Sequence, residues 1–430
     1  MTFVILLSVA ARGQQQKRMS IGELFERADA QNPDIRAAQS HIYVVGQQEE
    51  VVRSARLPQI NASLTLSYLG DGTILDRDFS HSQRDKLPHF SNTLDVELYQ
   101  PLYTGGSLSG GIALSEKQTA MARIGLDATR NGIRMTIISN YLELAKNRNL
   151  LAVYDENIRL TEKLLEEMKV KREQGIVLKN DITRYELKLS SLGYDRLVTR
   201  NAIRICNVNL ISLLGLNDTI EIVPELKEFH PESSAGEEVW LQAARTGAPS
   251  LKTLGMQSEM EQVGKRITRA GYLPKIGLIA GDNFLGPVTF EVPVLDKNYN
   301  AWFVGVNVKW NLSSLFTTHK SVRKHDLELT HIAMENTAEA ESVERRIHEA
   351  FMLYRQSVER LGIERKNVQL AEENYSVVSN RFENQLALLT DMLDASNARL
   401  DAGVRLVNAE ISAQFYYYQL HFISGTLIEL

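Results

Sequence analysis

Residues able to do chemistry are sparse in this chain. His319, His325, His331 and His348 lie near one another, but no interval among them is the i, i+4 spacing that sets two ligands on one helical face. They read as surface histidines. Cys206 is the sole cysteine. Alone in a helical stretch, it reads as a small buried apolar side chain, and it cannot build an internal disulfide framework. Phe415-Tyr416-Tyr417-Tyr418 would face all around a helix, which suits packing better than a ligand site. The sequence has no phosphate-cradling glycine loop, nucleophile elbow or metal-protease motif. The expectation is a protein that is not an enzyme, with no cofactor, no metal and no catalytic residue. A net charge of -5 over 430 residues offers no basic face for nucleic acid.

The informative residues are those that switch the backbone pattern. Leu57-Pro58-Gln59-Ile60 ends a charged, helix-like stretch, and the period then becomes two: Ala62, Leu64, Leu66 and Tyr68 share one face, Asn61, Ser63, Thr65 and Ser67 the other. Proline suits such a junction because it cannot continue a helix and biases the preceding residue toward extended backbone. A second run follows a polar loop, with Leu94, Val96, Leu98 and Leu102 opposite Asp95 and Glu97. The switch returns as Leu273-Pro274, and the clearest alternation is Trp302, Val304, Val306, Val308, Trp310 and Leu312.

Between and after the strands lie long proline-free stretches with charged and aliphatic residues interleaved, as in Leu160-Thr161-Glu162-Lys163-Leu164-Leu165. They read as long helices or coiled coil. Reversals are expected near Gly175 and between Asn384 and Asp391. A turn at Gly175 leaves an outgoing helix of about 65 residues, spanning roughly 97 Å at 1.5 Å per residue. Pro249 follows Pro33, and Pro274 follows Pro58, by the same 216 positions; Asp391 follows Asp181, and Gly425 follows Gly215, by 210. The chain is therefore read as a duplicated unit. Its expected parts are a first repeat over 17–216 with strands near 60–69 and 93–103, a connector over 217–236, and a second repeat over 237–430 with strands near 275–283 and 301–312. Thr2 to Ala11 form a short apolar run that fits a signal peptide over 1–16, and the missing basic residues ahead of it point to a truncated start.

Strands of about nine to eleven residues with one unbroken apolar face have membrane-barrel length, and Trp302 and Trp310 suit interfacial positions. Nothing apolar elsewhere in the chain is left to cover that face. Four strands cannot close, and open edges in lipid leave backbone groups unpaired, so copies must pool their strands. Three copies give twelve, an even number in the usual range. Asp95, Glu97, Asn307 and Lys309 would then face a water-filled lumen.

The chain resembles the TolC-like outer membrane efflux protein family over nearly everything after the leader. The resemblance is carried by the two Leu-Pro switches, by Gln100-Pro101-Leu102-Tyr103-Thr104-Gly105-Gly106, and by Arg381-Phe382-Glu383-Asn384-Gln385 leading into Asp391-Met392-Leu393-Asp394-Ala395, which matches the family's Asp-x-Leu-Asp-Ala motif. It implies a mainly α chain with membrane β: four strands of a trimeric twelve-stranded β-barrel, helical hairpins forming an α-helical barrel, and a small mixed equatorial region. It implies an outer membrane location with a periplasmic tunnel, and export of small molecules or secreted proteins. The implied partners are two further copies, a periplasmic adaptor protein, an inner-membrane transporter and outer membrane lipids. The competing expectation is a periplasmic coiled-coil scaffold without a pore. By the same resemblance Asp391, Asp394, Phe382 and Asp181 belong to the periplasmic aperture, while Gly175, Ile176, Val177, Leu178, Gln385, Leu386, Ala387 and Leu388 are the hairpin tips that dock the adaptor. The residues alone also allow Asp391 and Asp394 to be a solvated helix start, where the dipole favours Asp. Phe382 stands where relatives often carry Tyr, Ala387 where some carry a gate-locking Arg, and Gln385 where a turn glycine is expected.

Overall fold

The computed structural model describes residues 15–175, 177–217, 219–226, 236–291, 294–384 and 386–429. Residues 1–14 of the expected leader lie outside them, as do Ile176 and Gln385. The chain begins with strand β1 (Gln15–Met19), helix α1 (Ile21–Gln31) and helix α2 (Pro33–Ser54). Ser20 opens α1 with a capping box: its hydroxyl accepts from the Glu23 amide, and the Glu23 carboxylate accepts from the Ser20 amide at 2.8 Å. Asn32 then serves as the hinge into α2, its Oδ1 accepting from the amides of Asp34 and Ile35. Strands β2 (Gln59–Tyr68), β3 (Gly72–Ile74), β4 (Gln83–Asp85) and β5 (Phe90–Tyr103) follow. Two long helices come next, α3 (Ser107–Glu173) and α4 (Lys179–Leu214), then strand β6 (Ile220–Pro224). The order then recurs: α5 (Glu237–Gly247), α6 (Pro249–Arg269), β7 (Lys275–Gly286), β8 (Tyr299–Lys309), α7 (Ser314–Glu383) and α8 (Leu389–Ser424). The paired helices have matching lengths, 67 and 36 residues in one half, 70 and 36 in the other.

By contacts the chain forms two compact units, each drawing on both sequence halves. One takes the chain up to Ser40, Arg123–Thr253 and everything from Asn336; the other takes His41–Ala122 and Leu254–Glu335. The first unit holds the buried cores. Leu24, Phe25, Ile137, Tyr141, Leu144, Leu210, Leu214 and Ile222 pack together beside a parallel pair, β1 with β6. Tyr141 is fully buried, and its hydroxyl does two jobs. It donates to the Met19 carbonyl at 2.8 Å and accepts from the Glu225 amide at 2.7 Å, so one side chain ties the ends of both strands. Burial pushes its pKa up to about 12. A second core gathers Trp240, Ile347, Phe351, Tyr354 and Leu420.

The second unit holds an antiparallel sheet in the order β2-β5-β7-β8. Up to the irregularity after Pro101 in β5, where Tyr103 comes opposite Ile276, its register puts even-numbered residues of all four strands on one face and odd-numbered residues on the other. The even face carries Ile60, Leu64, Leu66, Tyr68, Trp302, Val304, Val306 and Val308, each between 60% and 77% exposed. The odd face carries Asn61, Ser63, Asp95, Glu97, Asn283, Asn307 and Lys309, with Asn283 donating to Asp95. Strands β2 and β8 are the free edges.

Three features differ from the sequence reading. The expected polar loop from Gly70 to Asn92 contains the small hairpin β3–β4 and the start of β5. The connector from 217 onward contains β6, whose partner β1 includes Gln15 and Gln16 from the end of the expected leader. His325 is not a free surface histidine. It bridges α7 to α6, with Nδ1 2.6 Å from a Glu261 carboxylate oxygen and Nε2 2.7 Å from the Thr268 hydroxyl. Cys206 is buried and free, as its apolar neighbours suggested.

His421, near the end of α8, is wedged edge-on against the rings of Trp240 and Tyr417, at 4.8 Å from each. Burial lowers its pKa from 6.5 to about 4. The unfolded chain therefore takes up a proton that the folded chain refuses, and stability present at neutral pH is lost as pH falls from 6.5 toward about 4. The Tm of the detergent-purified chain should drop across that window, and His421→Gln should flatten the drop. Equal pH slopes in the two proteins would remove His421 as the source.

Candidate functional site

The site the sequence pointed to is built from two helix reversals in the first unit. Helix α3 ends at Glu173, and Gly175 turns the chain with φ of 75°, its amide donating to the Arg172 carbonyl at 2.8 Å. A left-handed residue of this kind is easiest for glycine, which has no Cβ to clash. In the other reversal the Leu386 amide donates to the Arg381 carbonyl at 2.7 Å.

Both returning helices start alike. Leu178 and Leu388 precede the first turns of α4 and α8, and neither has a side chain able to cap. The capping oxygen comes instead from three residues on. Asp181 Oδ2 accepts from the Leu178 amide at 3.3 Å, and Asp391 Oδ2 accepts from the Leu388 amide at 2.9 Å. Each carboxylate thus satisfies an orphan amide and lies at the positive end of a helix dipole. Asp394 lies one turn further along α8, exposed like Asp391, whereas Asp181 is half-buried. No bond joins Asp181 to Asp391 or Asp394 among the described residues. Asp391 and Asp394 are three positions apart, so they share one exposed side of α8.

The two reversals are held together by apolar packing. Leu165, Met168, Ile182 and Tyr185 are buried, and Val177, Leu189, Leu389 and Leu393 close over them. Phe382 lies under the Lys171 ammonium, which is 5.0 Å from its ring centroid, so it links α7 to α3. Ala387 is half-buried, while Leu178, Leu386 and Leu388 are about 70% exposed (71%, 69% and 70%). Ile176 and Gln385 lie outside the described residues.

One polar residue of this region escaped the sequence reading. Lys188 sits on the inward stripe of α4 with Tyr185, Leu189 and Leu192, and its ammonium donates to the Ser396 hydroxyl of α8 at 2.6 Å. Burial pulls its pKa down to about 8, against the opposing pull of Asp401. A lysine inside an otherwise apolar stripe was the available signal. Further along, Arg399 donates to Glu372 at 2.7 Å and covers the Tyr375 ring, bracing α8 against α7. The described residues hold no cluster of His, Cys, Asp or Glu able to bind a metal ion.

The family described as outer membrane efflux protein matches residues 24–215. The outer membrane efflux protein BepC of Brucella suis is 24% identical over 220 residues, a match covering 50% of this chain and 45% of that one, so the chain spans under half the length of this curated relative. Among solved structures, VceC, an outer membrane protein of Vibrio cholerae, superposes with a TM-score of 0.76 at 15% identity, covering 94% of this chain and 96% of its own. The outer membrane channel CmeC of Campylobacter jejuni superposes with a TM-score of 0.77 at 15% identity, covering 95% of this chain and 86% of its own. Residues 24–215 thus match the outer membrane efflux protein family, and across nearly its whole length the chain has the fold of solved outer membrane channels.

Proposed function

We propose that the chain is one protomer of a trimeric outer membrane exit duct, passing on small molecules or secreted proteins delivered by an inner-membrane transporter through a periplasmic adaptor. The observation that carries this reading is the parity of the sheet. An apolar even face left open to water is unfavourable by about 25 cal/mol for every Å². Facing lipid, the same surface is at home, and the polar odd face then lines an aqueous lumen. Strands of 10 to 14 residues are long enough to cross a bilayer at a tilt. The free edges of β2 and β8 have no water to bond in lipid, so strands of other copies must complete them.

Helix surfaces support the same assembly. On α4, Leu187, Tyr194, Val198, Ile205 and Val208 are exposed at intervals of seven, four, seven and three. On α7, Ile363, Leu370 and Val377 are exposed at intervals of seven. Such stripes have the spacing of coiled-coil seams and stay exposed among the described residues. At the tips, exposed Leu178, Leu386 and Leu388, grouped with Gly175, Val177 and Ala387, suit docking of an adaptor. Asp391 and Asp394, repeated around a threefold axis, would ring a narrow aperture and favour cations, with Phe382 and Asp181 in supporting positions.

In planar bilayers the detergent-purified chain should give small cation-selective conductance steps, and its detergent-stripped mass should be that of a trimer. A water-soluble monomer that never inserts would overturn the duct. Asp394→Asn with Asp391→Asn should weaken cation preference and cation block. Because the Asp391 charge also lies at the start of α8, this pair should lose the charge–dipole part of that contact, about 0.3–1 kcal/mol, so Asp394→Asn alone serves as the cleaner probe. Unchanged selectivity in both variants would remove the ring. Ile205→Glu with Leu370→Glu should leave helicity intact and stop assembly at the monomer. A trimer of normal mass would show that these stripes are not seams.

A further inference from the structure

A cavity of about 410 Å³ lies where the β2–β5 and β7–β8 connections meet, at the strand ends not joined to helices. It opens on the even, apolar face. Asn92 pairs with Gly286 across β5 and β7, and both are even-numbered. Gly286 lacks a side chain, and a Cβ placed there would come within 2.2 Å of Asn298 Oδ1 and 3.1 Å of Asn92 Oδ1. Two carboxamides therefore converge over one bare Cα. Asp296 and Lys297 stand beside them, and Phe90 and Pro287 supply apolar walls. Among the described residues, the side chains of Asn92, Asp296, Lys297 and Asn298 make no hydrogen bond or ion pair with the rest of the protein.

The chemistry of this set is selective. Carboxamides donate and accept from one group, which is what closely spaced hydroxyls require. One cation beside one carboxylate gives no net charge, so a simple anion is a poor match. Apolar walls next to amides suit the flat face of a sugar ring, and the stack of Tyr68 on His89, with centroids 5.0 Å apart, extends that wall. The polar character continues along the same face. Asn300 donates to Asp282 at 2.6 Å on even positions of β8 and β7, while the even positions of β2 stay apolar.

We propose that this cavity binds the saccharide headgroup of a glycolipid in the outer leaflet. The proposal rests on the membrane reading above: with the helices on the periplasmic side, the cavity lies at headgroup level on the lipid-facing surface, and aromatic residues such as Tyr68 and Phe90 mark the interface there.

The test uses the full chain in detergent with fluorescent lipopolysaccharide, read by anisotropy, and deacylated lipopolysaccharide as competitor. Binding should saturate, and the deacylated glycan should compete. Asn92→Ala with Asn298→Ala should weaken binding about tenfold, the size expected for two lost neutral hydrogen bonds. Trimer mass and conductance in phosphatidylethanolamine–phosphatidylglycerol bilayers should stay unchanged in that variant. Equal binding by the variant, or competition by acyl chains but not by glycan, overturns the site while leaving the duct intact. A chain that enters no bilayer at all overturns the duct and the site with it.

Discussion

Backbone hydrogen bonding at the two free edges of one sheet governs this structure. Strands β2 and β8 each present a row of amides and carbonyls with no strand partner among the described residues. The face beside those edges is apolar, so the usual protection of an edge by charge or water does not apply across its middle. Edge and face together permit few environments. A soluble monomer leaves the apolar face exposed, and a monomer in lipid leaves the edges unpaired. In the proposed duct, closure by further copies in a bilayer answers both demands, and the exposed apolar stripes on α4 and α7 would be the helical counterpart of that closure.

What could be read from the sequence was what depends on neighbours in sequence. Pro58 and Pro274 announced the passage from helix to strand, and alternation announced which residues share a face. Duplication multiplied each of these signals, so weak local patterns became specific when they recurred 210 or 216 residues later. Pairings that join distant segments were hidden. Strand β1 reads Gln-Gln-Lys-Arg-Met, with no alternation to mark it, and it is a strand because β6 lies beside it. His325 looked like a surface residue because its partners, Glu261 and Thr268, sit on another helix some sixty positions earlier. Within the candidate site, the acidic positions and tip residues were visible as motifs. The buried Lys188 link was not, since a lysine is ordinarily counted with the solvated face.

Asp391 answers a local requirement at the start of its helix. The Leu388 amide, just ahead of the first turn of α8, needs an acceptor that the residue's own side chain cannot provide. An acidic residue three positions on fills that need and places a carboxylate at the start of the returning helix. In a symmetric assembly the same placement repeats around the axis. Asp181 obeys the same helix-start rule in the first hairpin while being half-buried. The difference between the two helix starts is therefore one of exposure.

The Tyr141 hydroxyl has a consequence for the order in which the chain acquires its structure. Its two partners, Met19 and Glu225, come from opposite sides of the α3–α4 hairpin, and the parallel strands they terminate are about two hundred residues apart. Synthesis delivers β1 first, yet nothing can pair with it until β6 exists. Closing so long a loop in an unstructured chain is slow. Folding of α3 against α4 shortens the separation to a step between neighbouring helix ends. The first described strand thus depends for its pairing on a segment made about two hundred residues later.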